Sequence, residues 1–167
     1  MTVRDIVRFP DPRLKVPAAA VTAFGDDLAA LVEDLADTMA AAPGIGITAP
    51  HIGVPQRVVV IRLSPAEPRR VFINPVITEA SVDLARATEG SVSMPGVVET
   101  VERPARVTVR YQDAAGGVHS ESHAGLMAVC LQHEIDQLDG RFWTERLSRL
   151  KRDRLVARYA KLRRAGS

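Results

Sequence analysis

Gln132-His133-Glu134-Ile135-Asp136-Gln137 is the stretch whose reading decides the fold. It sits inside residues 124–139, where Leu126, Val129, Cys130, His133 and Gln137, with the residues between them, predict a central helix buried on almost every side. Gly140 follows as a plausible C-cap. Helical spacing puts positions 133 and 137 on one face, one above the other. With histidine at both, this would be a zinc-type His-Glu-x-x-His pair with Glu134 as general base. Position 137 is glutamine, so the pair is incomplete. On these residues alone, a satisfied core histidine beside a surface carboxylate is the plainer alternative.

Working outward, residues 26–40 predict a helix. Leu28, Leu31, Val32, Leu35 and Met39 share a face, Asp26 is a candidate cap, and Pro43 and Gly44 end it. A glycine-rich segment, Gly44 to Gly53, comes next. Val58 to Ile61 reads as a buried strand, and Val71 to Pro75 as another, with Pro75 suggesting an edge or a bulge. Glu89 to Gly96 reads as a second special loop. Val107, Val109 and Tyr111 alternate with polar residues as a half-buried strand should, and Gly116-Gly117 turns the chain back into 118–122. Pro10, Pro12 and Pro17 predict an extended arm over 8–17. A last helix is expected over about 147–164, with Leu155, Val156, Tyr159 and Leu162 as its apolar stripe.

Composition bounds the answer. The 167 residues are 46% hydrophobic and 25% charged but only 4% aromatic, so the core must rest on aliphatic side chains. That length suffices for one domain, and no boundary is visible within 1–167. No apolar run reaches the roughly 18 residues of a membrane span. The first residues lead into Pro-rich polar sequence and not into a signal peptide. Cys130 stands alone, so no internal disulfide can form. A cytoplasmic location is the default expectation. Residues 141–167 hold ten Lys or Arg against two Asp or Glu, although the net charge of the chain is only +2. Such a tail is either a solvated helix face or a surface that meets an anionic partner.

Three segments together resemble the peptide deformylase family, in order and along nearly the whole chain. Gly44 to Gly53 is similar to Gly-x-Gly-x-Ala-Ala-Pro-Gln-x-Gly, Glu89 to Ser93 to Glu-Gly-Cys-Leu-Ser, and Gln132 to Gln137 to Gln-His-Glu-x-Asp-His. The resemblance implies an α+β fold, with the central helix carrying the third segment among small antiparallel sheets. It also implies removal of formyl from an N-terminal formyl-methionine. In that family one Cys and two His hold a divalent metal, and the Glu takes a proton from metal-bound water. The formyl oxygen is polarised by the metal, the Gln of the first motif and the backbone N–H after the Cys.

Carried over residue by residue, the pattern is broken. His133 and Glu134 match a ligand and the general base. Ser91 stands at the Cys ligand, Gln137 at the second His ligand and His51 at the oxyanion-binding Gln. Val92 replaces the Leu whose N–H faces the formyl oxygen, Thr48 replaces an Ala, and Gly46 keeps its place beside the substrate. A hydroxyl and a carboxamide are poor ligands for zinc or Fe(II). Each lost ligand should cost several kcal/mol, on the scale of roughly 10–16 kcal/mol for a whole structural zinc site. No tightly bound metal is therefore expected, and at most weak Zn, Fe(II) or Ni binding.

Three functions remain open to this sequence. One is a metal-independent or metal-altered hydrolase using Ser91, His51, His133 and Glu134 on a formyl or acyl amide of a short peptide or amino-acyl compound. Another is a transferase of specialised metabolism working in the same groove. The third is a non-catalytic homologue that binds peptide, or contacts the ribosome through its basic C-terminal helix. Ordinary metal-dependent deformylation is the alternative within the first. Cys130 reads as a small hydrophobe, and His119 and His123, flanking Glu121, as surface residues.

Overall fold

A computed structural model describes residues 2–166. Seven strands and three α-helices follow one another as α1 (Asp26–Ala41), β1 (Gly46–Thr48), β2 (Val58–Ile61), β3 (Arg70–Ala80), β4 (Leu84–Ser91), β5 (Met94–Pro104), β6 (Arg106–Gln112), β7 (Val118–Ala124), α2 (Gly125–Leu138) and α3 (Arg149–Ala165). All the strand pairs are antiparallel. Five strands form one sheet in the order β1-β2-β3-β6-β7, and β4 pairs with β5 alone.

Strand β2 explains how the layers assemble. Its four residues are all fully buried because both faces are covered. Val59 and Ile61 pack with Leu131, Ile135 and Leu138 of α2, while Val58 and Val60 pack with Leu28, Val32, Leu35 and Met39 of α1. Alternation puts successive side chains on opposite faces, so two apolar layers turn an alternating strand into a continuous valine run. Burying each such side chain contributes about 1.5–3 kcal/mol. A third apolar cluster lies elsewhere. Val7 and Leu14 of the N-terminal arm meet Met94, Val97 and Val101 of β5, Phe142 and Trp143, and Leu155 and Tyr159 of α3.

Most of the expected elements are present, with instructive differences. Pro75 lies inside β3, a central strand, where the register shifts between Ile73 and Val76. It is therefore at a bulge and not on an edge, and Asn74 before it takes φ 51°. The segment 89–96 is not an irregular loop. Glu89 and Ser91 end β4, Met94 begins β5, and only Val92 and Ser93 turn the hairpin. Gly25, not Asp26, is the N-cap of α1; Asp26 and Asp27 occupy its first turn, where carboxylates suit the positive helix end. Within the arm, Pro12–Lys15 forms a 3-10 turn and is not fully extended. Leu126 is half exposed, because the first turn of α2 grows out of the edge strand β7; the helix is buried from Cys130 onward. In α3, Leu155 and Tyr159 are buried, but Leu162 is largely exposed. Among the described residues, no helix is long and apolar enough to cross a membrane.

The C-terminal end of α2 is wedged against the arm. Ala18 N–H donates to the Leu138 carbonyl at 2.8 Å, and Gln137 Nε2 donates to the Leu14 carbonyl at 2.7 Å. Gly140 takes φ 79°, and a Cβ there would lie 2.6 Å from the Lys15 carbonyl oxygen. Gly140→Ala combines left-handed strain with a backbone clash. It should cost at least about 2 kcal/mol in urea denaturation. A loss below about 0.5 kcal/mol would mean that the arm is not held against this turn.

Candidate active site

The site forms where α2, β1 and the β4–β5 hairpin meet. Buried from Cys130 to Leu138, α2 places His133, Glu134 and Gln137 inside the molecule. Strand β1 runs beside it, and a side chain on Gly46 would come within 3.2 Å of Glu134 Oε1. Glycine at 46 is thus what lets the carboxyl group approach the strand. After β1, Ala49–Ile52 makes a 3-10 turn that buries His51. Thr48 N–H reaches His51 Nδ1 at 2.9 Å, and Thr48 Oγ1 lies 3.0 Å from the same nitrogen. This is the reach-back of a capping box, with histidine in place of the usual Glu or Gln.

Glu134 stands between two imidazoles. Its Oε2 is 3.9 Å from His51 Nδ1, and its Oε1 is 3.8 Å from His133 Nε2. Burial pushes the Glu134 carboxyl up to about 7, the His133 charge opposing it. Burial pushes His51 down to about 3, helped by the positive His133 nearby. His133 moves the other way. Burial opposes its charge, but the hydrogen bond to Glu89 and the Glu134 carboxylate together raise its pKa above the ordinary histidine value.

Behind His133 runs a buried ionic chain. His133 Nδ1 lies 2.8 Å from Glu89 Oε1. Arg103 grips Glu89 with two bonds, Nε to Oε2 at 2.6 Å and Nη2 to Oε1 at 2.9 Å, and reaches Asp136 Oδ2 at 2.8 Å. Asp136 also accepts from Arg146 at 2.8 and 2.9 Å. Burial works against ionisation of Glu89 and Asp136, yet the guanidinium groups and His133 hold both carboxyls below their ordinary values. Glu89 is therefore an acceptor, and His133 Nδ1–H donates to it. The Trp143 ring lies near-parallel to the His133 ring, centroids 6.3 Å apart.

Of the residues singled out in the sequence, His51, Thr48, Gly46, His133 and Glu134 come together. Ser91 and Val92 sit at the β4–β5 hairpin tip, where Ser91 Oγ accepts from Ser93 N–H at 3.0 Å and Val92 packs toward Gly44. No hydrogen bond among the described residues joins Ser91 to His51 or His133. The sequence reading gave no role to Glu89, Arg103, Asp136, Arg146 or Trp143. One signal was available: a buried helix carrying both Glu and Asp demands cations nearby. Cys130 is buried with its thiol pushed up to about 12 by that burial, which leaves it inert. His119 pairs with Asp113 and His123 with Glu121, away from this pocket.

Among the described residues, four buried side-chain polar atoms have no hydrogen-bond partner: His51 Nε2, Glu134 Oε2, Ser93 Oγ and Trp143 Nε1. They belong to the residues of this site or to their immediate neighbours. Buried polar groups are nearly always paired, so the cluster marks polar capacity reserved for something other than the protein. The divalent metal implied by the family resemblance does not fit the residues present. Ser91 offers a neutral hydroxyl that already accepts a bond, and Gln137 donates its amide to Leu14. Among the described residues, no three of His, Cys, Asp and Glu are grouped to hold a metal ion.

Comparison with known proteins agrees with this architecture. The family model described as polypeptide deformylase matches residues 3–153. A peptide deformylase-like protein of Brucella melitensis is 59% identical over 164 residues, covering 98% of this chain and 100% of its own. A peptide deformylase of Novosphingobium aromaticivorans is 43% identical, covering 99% and 100%. The crystal structure of a Legionella pneumophila peptide deformylase superposes with a TM-score of 0.93 at 37% identity, covering 99% of this chain and 98% of that one. The α+β architecture expected from the motifs is thus the peptide deformylase fold, and the chain belongs to the peptide deformylase family.

Proposed function

We propose that this chain is a divergent family member that hydrolyses a formyl or acyl amide on a short peptide or amino-acyl compound, without a tightly bound metal. The observation that carries the reading is the pair of unpartnered buried atoms, His51 Nε2 and Glu134 Oε2, beside a His133 held in place by Glu89. In the proposed step, ionised Glu134 takes a proton from water as the water oxygen bonds to the acyl carbon. His51 Nε2–H and the Val92 backbone N–H donate to the carbonyl oxygen as it gains charge. Glu134 then hands the proton to the amide nitrogen as the C–N bond breaks, releasing the free amine and formate or the corresponding acid. Gly46 and Thr48 line the approach. Ser91 fills the position of a ligand and is not the nucleophile, so Ser91→Ala should leave the rate unchanged. A transferase would run the same steps with an acceptor other than water. A cytoplasmic location belongs to this reading.

Two measurements on the same preparation test it: metal content, and turnover of a formyl-methionyl peptide with and without added Zn, Fe(II), Ni and Co. We expect sub-stoichiometric metal and turnover that does not depend on addition. Stoichiometric metal with metal-dependent turnover would return the chain to ordinary deformylation. No turnover or binding of any formyl or acyl amide would remove the enzyme reading. Ser91→Cys combined with Gln137→His should regain metal if the scaffold around the ligand positions is intact.

A second role is favoured by α3. Its Arg149, Lys151, Arg154, Arg158, Lys161 and Arg163 are exposed, and such a surface suits ribosomal RNA. Co-sedimentation with ribosomes should then weaken steeply with salt; binding that persists at high salt, or is absent at low salt, counts against it.

A further inference from the structure

Two atoms of Thr48 converge on one nitrogen of His51. The backbone N–H donates to Nδ1 at 2.9 Å, and Oγ1 lies 3.0 Å away. A backbone N–H is always a donor, so Nδ1 must present its lone pair. A neutral imidazole carries a single N–H, which must then sit on Nε2. That nitrogen is buried and has no protein partner. The geometry therefore does more than bury a histidine: it selects one tautomer and leaves the remaining donor without a partner among the described residues.

We propose that Thr48 and His51 form a fixed-tautomer hydrogen-bond donor. Thr48 is the positioning residue that holds Nδ1 as an acceptor, and His51 is the catalytic residue whose Nε2–H binds the carbonyl oxygen of the substrate. An imidazole held this way has the hydrogen-bonding character of a carboxamide, with one acceptor engaged by Thr48 and one donor left over. It also stays neutral. The titratable groups facing the ring are Glu134 and His133, and charge on His133 acts against protonating His51. Burial, which pushes His51 down to about 3, acts in the same direction. Nδ1 thus keeps its lone pair for Thr48 at pH values where an exposed histidine would take up a proton. Only the carbonyl-binding half of this proposal rests on the acyl-amide reading; the tautomer half does not.

The tautomer is read by ring-nitrogen NMR of the 15N-labelled protein, with His51 assigned by the signal lost in His51→Gln. The expected result is a protonated Nε2 and an unprotonated Nδ1, unchanged between pH 5 and 8. A scalar coupling through the hydrogen bond should link Nδ1 to the Thr48 amide nitrogen. A proton on Nδ1, or a ring that titrates within that range, overturns the lock whatever the activity. The donor role is read by binding of N-formylmethionine to protein carrying Glu134→Gln, in which turnover is stopped. Adding His51→Gln should keep affinity within about three-fold, and adding His51→Leu should weaken it at least about ten-fold. Equal binding by the two overturns the donor role. If no formyl compound binds to any of these proteins, the acyl-amide reading and the carbonyl-binding half fall together, and the spectrum alone decides the tautomer half.

Discussion

Arg103→Met is expected to destabilise the protein by about 3–5 kcal/mol at pH 7, the cost of leaving buried charge without its partner. Arg103 is only 3% exposed and is the common partner of Glu89 and Asp136. Removing it strips two bonds from one carboxylate and one from the other, in a region water barely reaches. Methionine fills the volume but satisfies neither acid. In the native protein both carboxyls are held below their ordinary values. Their contribution is therefore fully present above the unfolded carboxylate range and is lost as pH falls through the depressed folded values. The variant should behave in the opposite sense. With the guanidinium gone, Asp136 keeps its two Arg146 bonds, but burial raises the pKa of Glu89, which is left with His133 alone, and the variant should gain stability as pH falls from 7 to 5. Urea midpoints at the two pH values check both statements. A loss under about 1 kcal/mol at pH 7 would mean the ionic chain is not what holds β4, β5 and α2 together. Glu89→Met on top of Arg103→Met should recover part of the loss, because it removes an acid that the first change stranded.

Glu134→Gln should separate activity from stability. Loss of a general base of this kind costs about 10²–10⁴-fold in rate. Stability should move the other way. Burial raises the Glu134 carboxyl from its ordinary 4.5 to about 7, so between these values the folded protein binds a proton that the unfolded chain has released. Native stability must therefore fall as pH rises from about 4.5 to about 7, by roughly 3 kcal/mol in all. Glutamine cannot ionise and escapes that cost. The variant's advantage over the parent should be roughly 2 kcal/mol larger at pH 8 than at pH 5, with thermal or urea unfolding as the readout. In the parent, kcat/KM should climb with pH through about 7 as the carboxylate forms. Retained turnover in the variant, or an equal stability difference at both pH values, would refute Glu134 as a buried base.

How far the sequence could be read depended on the range of the interaction. Helix α1 was legible because its apolar face repeats every turn, and β2 because two covered faces leave an unbroken valine run. The juxtaposition of His51, His133 and Glu134 followed from motif order. The ionic chain was hidden because nothing local announces it. Arg103 precedes a proline near the end of a strand and looks like any alternating polar residue. Only the packing of β5 on α2 turns it inward to Asp136. Pro75 misled in part for the same reason. A proline removes one ladder donor, and whether that means an edge or a bulge depends on which strands lie alongside.

The ties between the N-terminal arm and the rest of the site also set an order of events in synthesis. Val7 N–H bonds to the His51 carbonyl, Phe9 N–H to Ser93, and the Arg8 guanidinium to Val92. Leu14 waits for Gln137, and the Phe9 carbonyl waits for Arg163, 154 residues later. The arm therefore waits for partners made long after it. A growing chain can pair its residues only as residues 51, 92, 93 and 137 appear, and the Phe9 carbonyl only with α3; late, long-range closure of this kind slows folding. The arm's bonds to His51, Val92 and Ser93 do not involve α3, so losing the tie at Arg163 would loosen the arm without removing any residue of the site.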